Sequence, residues 1–169
     1  MIQKYVKGRV YVFIDASNIF YSQKTLGWRI SYERLKQYLG KECDLKKLFV
    51  YTGIFPNDKA QKKFLDLLNI LGYKVITKPV KKILTRKKEY EYKANFDIEI
   101  AFDMVDNIEN YDTALLFSGD SDFAVVLDRV KALKRRVLVF STRGHISLEL
   151  IKRAKYIDLR KLKSFIKLD

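Results

Sequence analysis

Cysteine and histidine are nearly missing from this chain: its 169 residues hold one of each, Cys43 and His145. A lone cysteine excludes an intrachain disulfide and points to a reducing compartment. With one partner at most, Cys43 reads as a free buried thiol rather than a nucleophile. One histidine leaves no His-rich zinc site, and in the loop Arg143-Gly144-His145 it reads as a bystander. Two prolines and seven glycines leave no flexible linker and no low-complexity tract. No Walker loop and no G-x-G-x-x-G run is present, which argues against nucleoside triphosphate and dinucleotide binding. Long apolar runs are missing too. The first, Val10–Ile14, falls far short of a signal peptide or the roughly 20 apolar residues of a membrane span. The expectation is a cytoplasmic protein with no membrane partner.

Negative charge is the scarcer sign. Lys and Arg number 34 against 20 Asp and Glu, a net charge of +14. That excess favours a polyanionic partner, with general lysine enrichment as the plainer explanation. Hydrophobic residues make up 48% of the chain, enough for a substantial core, and the length suits a single domain spanning residues 1–169.

Strand and helix patterns alternate. Strands are expected at Val10–Ile14, Leu48–Tyr51, Tyr73–Thr77, Ala114–Phe117, Arg136–Phe140 and, at the end, Tyr156–Asp158. Between them, Ser31 caps a helix carrying Leu35 and Leu39 that stops at Gly40. A second helix turns Phe64, Leu67, Leu68 and Leu71 to one face and stops at Gly72. Further helices cover Asp97–Val105, Phe123–Leu133 (Phe123, Val126, Val130 and Leu133 inward) and Ser147–Ala154. Such alternation predicts an α/β fold with a mostly parallel sheet.

Two segments carry the chemistry: Ile14-Asp15-Ala16-Ser17-Asn18 and Ser118-Gly119-Asp120-Ser121-Asp122-Phe123. Each stands where a strand gives way to a helix, the edge at which open parallel sheets bind ligands. If those strands are neighbours, Asp15, Asp120 and Asp122 converge, and clustered carboxylates either raise a pKa or hold a divalent cation. An acid ending a buried apolar strand, as Asp15 does, is costly unless it faces a site. Asn18 suits a substrate contact or a helix cap equally. Of Asp120 and Asp122, the latter is the more natural capping acid. Gly119 fits a sharp turn that brings the backbone close to a ligand. In the Asp97 helix, Asp97 points to the sheet edge, while Glu99 and Asp103 lie on a solvated or salt-bridged face.

One stretch breaks the alternation. Between Lys78 and Lys93 fall seven basic residues against Glu89 and Glu91, with charged and apolar residues alternating. It reads as a basic β-hairpin turning near Thr85-Arg86-Lys87-Lys88. Lys81, Lys82, Arg86, Lys87, Lys88 and Lys93 are its candidate phosphate contacts, with Tyr90 or Tyr92 placed to stack on unpaired bases.

The Ile-Asp-Ala-Ser-Asn opening, the Lys93–Met104 element (Lys-Ala-Asn-Phe-Asp-Ile-Glu-Ile-Ala-Phe-Asp-Met) and Ser118–Phe123 together resemble the NYN domain, in the LabA/DUF88 branch of the PIN-like superfamily. The resemblance runs from about residue 8 to 160 and takes in the closing Ser147-Leu148, Ala154 and Ile157-Asp158-Leu159 pattern. Ala16 and Glu99 stand where Gly and Asp are frequent in relatives. The resemblance implies a Rossmann-like sheet of order 3-2-1-4-5 with helices on both faces. It also implies a Mg²⁺- or Mn²⁺-dependent ribonuclease site on Asp15, Asp97, Asp120 and Asp122. Asn18 and the hairpin lysines and arginines would then hold RNA. The competing readings are a non-catalytic RNA- or nucleotide-binding module of the same fold, and a phosphatase that would leave the basic hairpin without purpose. Association with further copies of the chain stays open.

Overall fold

The computed structural model describes residues 1–84 and 90–169. Its regular elements, in chain order, are β1 (Arg9–Asp15), α1 (Ala16–Leu26), α2 (Tyr32–Glu42), β2 (Asp44–Ile54), α3 (Lys59–Ile70) and β3 (Lys74–Pro79). There follow β4 (Lys81–Leu84), β5 (Tyr90–Lys93), α4 (Asp97–Asp106), β6 (Thr113–Phe117), α5 (Ala124–Ala132), β7 (Arg136–Ser141), α6 (Leu148–Arg153), β8 (Lys155–Asp158) and α7 (Lys163–Ile166). Six strands make one sheet in the order β3-β2-β1-β6-β7-β8. Every pairing in it is parallel. With the hairpin strands set apart, this is the expected 3-2-1-4-5 order, extended by β8 at the edge.

Two-sided burial explains the unbroken apolar strands. Val10, Val12 and Ile14 face one layer, where Ile19, Leu35, Leu39, Leu68 and Ile166 pack from α1, α2, α3 and α7. Phe13, Leu116 and Val139 face the other, against Ile100, Met104, Leu127 and Leu150 from α4, α5 and α6. Side chains alternate across a strand, so β1 alone feeds both cores.

Some helix details differ from expectation. Ser31 does cap α2, accepting the Arg34 amide at 3.2 Å. The helix nevertheless runs through Gly40 to Glu42 and ends where Cys43 turns extended. Open space surrounds Gly40, so its missing side chain costs the helix only propensity. Gly72 does follow α3 with φ 80°, the left-handed conformation that glycine suits. On α3 itself Leu67 is exposed and Leu65 packs inward in its place. A short 3-10 turn, Ser121–Phe123, precedes α5.

The basic stretch leaves the sheet after β3 and forms an antiparallel pair, with Lys81 opposite Lys93 and Leu84 opposite Tyr90. Its base is tied to β2 by the Val80 amide, which donates to the Ile54 carbonyl at 3.1 Å. The expected turn at Thr85–Lys88 lies outside the described residues. No helix among the described residues is long and apolar enough to cross a membrane.

Candidate functional site

Strands β1 and β6 are neighbours, with Ile14 opposite Phe117. That pairing brings both acidic motifs to one carboxyl edge. Asp15 is the last residue of β1 and the cap of α1: its Oδ1 accepts the amides of Ser17 (3.0 Å) and Asn18 (3.2 Å). Asn18 is therefore capped rather than capping. Its own Oδ1 is buried without a hydrogen-bond partner among the described residues. Ser118, fully buried at the end of β6, donates its hydroxyl to Asp15 Oδ2 at 3.4 Å and accepts the Asp120 amide at 3.3 Å. It links the two motifs. Burial pushes the Asp15 carboxyl up to about 6, and the nearby Asp97 charge adds to this.

The carboxylates that come together are Asp97, Asp120 and Asp122. Each offers an oxygen, all within 4.8 Å of one another. Asp15 stands outside this trio. Asp97 begins α4, its amide bonded to Asn95 Oδ1 at 2.7 Å. Partial burial raises the Asp97 pKa, and the charges of Asp120 and Asp122 raise it further. The capping role falls to Asp120, whose Oδ1 accepts the Asp122 amide at 3.0 Å, and not to Asp122. The reason is geometric: the turn starts at Ser121, two residues earlier than the apolar pattern suggests. Positive amino ends of α1 and α4 and of the turn before α5 all meet here and offset part of the carboxylate repulsion.

The donor set is all oxygen, which suits a hard divalent cation. Oxygens bound to one such ion at roughly 2.1–2.5 Å lie at most about 5 Å apart, and the trio meets that limit.

Glu99 and Asp103 are turned to structural work. Glu99 pairs with Lys78 at 2.6 Å, and Asp103 accepts the hydroxyl of buried Tyr51 at 2.7 Å. The Asp103 bond goes beyond the solvated face expected, because Tyr51 on β2 lies under α4. The close approach at Gly119 is to the chain itself. A Cβ there would lie 1.6 Å from the His145 carbonyl oxygen, and the Ser147 amide donates to the Gly119 carbonyl. The His145 loop thus walls one side of the edge, and its ring Nε2 lies 2.6 Å from Thr25 Oγ1.

In the hairpin, Lys81 and Lys82 are exposed, and Lys82 Nζ sits 3.8 Å from the centre of the Tyr90 ring. Arg86, Lys87 and Lys88 lie outside the described residues; Lys93 closes β5 opposite Lys81. Tyr92 is exposed and pairs with Phe55, just past the carboxyl end of β2, at 5.6 Å. Phe20 and Tyr21, exposed on α1 beneath Lys24, form a second aromatic pair. The sequence pattern assigned no role to Ser118, Asn95, Phe20, Tyr21 or Phe55, whereas Tyr92 was already marked for base stacking. Exposed aromatics at the ends of apolar runs were the available signal for Phe20 and Phe55.

A family model described as the NYN domain matches residues 9–160. The low amplitude and bright protein LabA of Synechococcus elongatus is 38% identical over 163 residues, covering 94% of this chain and 87% of that protein. A crystal structure of a protein of unknown function from Vibrio parahaemolyticus shares the fold. It has a TM-score of 0.76 at 24% identity and covers 95% of this chain and 96% of the other.

Proposed function

Since the chain belongs to the NYN domain family, we propose that it is a Mg²⁺- or Mn²⁺-dependent ribonuclease whose chemistry lies at the carboxyl edge of the sheet. The observation that carries this reading is the carboxylate trio of Asp97, Asp120 and Asp122 within 4.8 Å, in a chain of net charge +14. An otherwise basic molecule keeps three acids, none with a salt-bridge partner among the described residues, together at the edge where parallel sheets bind ligands.

Asp97, Asp120 and Asp122 hold the cation. When bound, Mg²⁺ or Mn²⁺ supplies charge stabilisation at a phosphate and acidifies water. Asp15 holds one oxygen in the α1 cap and presents Oδ2 beside Ser118. With a pKa near 6, that oxygen takes a proton during attack on the phosphodiester. Ser118 fixes the distance between Asp15 and the Asp120 turn. Asn18, half-buried at this edge, hydrogen-bonds the substrate. Lys81, Lys82, Arg86, Lys87, Lys88 and Lys93 track phosphates, while Tyr90, Tyr92 and Phe55 offer faces to unpaired bases. Residues 1–169 act as one domain, in a reducing cytoplasm.

A labelled single-stranded RNA incubated with Mn²⁺ or Mg²⁺ tests the reading. Wild type is expected to cut it, and Asp97→Asn or Asp120→Asn to abolish cutting while the fold and most RNA affinity survive. RNA binding with no cleavage by either metal, across several substrates, overturns the ribonuclease in favour of a binding module.

A further inference from the structure

The opposite edge of the sheet carries a second feature, in which the acidic site has no part. At the amino ends of β7 and β8, where α5 and α6 also finish, lies an open cleft of about 630 Å³. Eight of its twelve lining residues are lysine or arginine, and none is acidic. Three of the eight have local work. Lys131 donates to the Arg153 carbonyl, Arg153 pairs with Asp128, and Arg135 binds the Ile108 carbonyl and Glu109. Cations are expected there, because helix carboxyl ends carry partial negative charge. The other five are different. Lys4, Lys134, Arg136, Lys152 and Lys155 are all exposed, and none has a carboxylate partner among the described residues. Lys4 and Lys155 both lie over the Tyr5 ring, with Nζ 5.1 and 4.7 Å from its centre.

Like charges held together without counter-charges cost free energy unless something anionic answers them. Net basicity alone does not produce this pattern. The other basic cleft, lined by Arg34, Arg160, Lys161, Lys163 and Lys167, has carboxylates at hand: Asp158 pairs with Arg160, and Asp169 with Arg34. In the amino-edge cleft only two of the eight cations, Arg135 and Arg153, have a carboxylate partner among the described residues. It is open and lined by residues at the starts of two strands, which suits an extended polymer rather than an enclosed small anion.

We propose that the amino-edge cleft is a second docking site for the sugar–phosphate backbone of a single-stranded nucleic acid, remote from the acidic crevice. A strand rises about 3.3 Å per residue, so the two edges lie roughly 20 Å apart. One strand of RNA running over the molecule reaches both. Length then selects the substrate: a long RNA gains affinity from the cleft, and a short one does not. The inference rests on reading the partner as nucleic acid, not on cleavage.

The test is fluorescence anisotropy of a labelled oligo(U) of about twenty nucleotides in EDTA, over a range of salt. The cleft variant is Lys134→Gln/Arg136→Gln/Lys152→Gln. The control, Lys161→Gln/Lys163→Gln/Lys167→Gln, removes the same charge from the other basic cleft. In the cleft variant the slope of log K against log salt is expected to become shallower by about 2, at about 0.7 per lost phosphate contact. Circular dichroism should be unchanged, and so should cleavage of a five-nucleotide substrate. The control should keep the wild-type slope. Equal losses in the two variants would mean diffuse charge and overturn the proposal, as would an unchanged slope in the cleft variant. So would displacement of the oligonucleotide by a poly-glutamate peptide of equal charge, which would make the cleft a protein-docking surface. If the cleft variant loses binding while wild type never cuts RNA, the docking site stands and the ribonuclease fails.

Discussion

Asp15 shows how one residue serves fold and site at opposite cost. Its carboxylate caps α1, yet burial pushes its pKa up to about 6 from an ordinary 3.8. A folded-state pKa above the unfolded one means that the native protein binds the proton more tightly. Asp15 therefore disfavours the native state above pH 6, and this cost disappears as pH falls from about 6 to about 4. Asparagine caps a helix as well as aspartate and carries no charge to bury. Asp15→Asn is accordingly expected to raise stability at pH 7 by on the order of 2 kcal/mol, or roughly 4–8 °C in melting temperature, while abolishing cleavage. Thermal melts between pH 4 and 8 check this: the gap between variant and wild type should shrink toward pH 4. A variant that melts lower at pH 7 would mean that the cap outweighs the buried charge.

At the scale of elements, the hairpin and the helix starts divide the labour. Helices α1 and α4 and the turn before α5 point their amino ends at the acids, whereas β4 and β5 leave the same edge with exposed lysines. Lys82 lies over Tyr90 and Tyr92 leans on Phe55, so each cation or ring already has an apolar support. If the hairpin tracks phosphates, Lys81→Ala/Lys82→Ala should weaken binding of all RNA sequences alike. The log K against log salt slope should then become shallower by about 1.4. Titration with Mn²⁺ should return the wild-type affinity, since neither lysine belongs to the carboxylate trio. Altered sequence preference in this variant would instead place the two lysines on base edges.

Over the whole molecule, the carboxylate trio sits at one edge of the sheet, and at the other lie five cations without a carboxylate partner among the described residues. A cation bound only by the native trio stabilises the whole fold by mass action, about 2.7 kcal/mol at a hundred times its dissociation constant. Saturating Mn²⁺ should therefore raise the melting temperature by roughly 5–10 °C. Asp97→Asn should lose that increment and Asp15→Asn should keep it, because Asp15 stands outside the trio. By itself the sequence determined the sheet, since runs such as Val10–Ile14 can be buried only between two helical layers. It also placed Asp15 and Asp120 at strand ends, because apolar runs stop there. Ser31 and Gly72 were legible as cap and stop because their rules are local. Tertiary structure alone decided which acids meet, that Asp120 and not Asp122 caps the turn, and that Gly119 is pressed against the His145 carbonyl. It alone gathered Lys4, Lys134, Arg136, Lys152 and Lys155 into one cleft. The physical reason is the same throughout: periodicity and capping act within a few residues, whereas carboxylates and cations far apart along the chain meet only where parallel strands and their crossovers bring chain ends to a common edge.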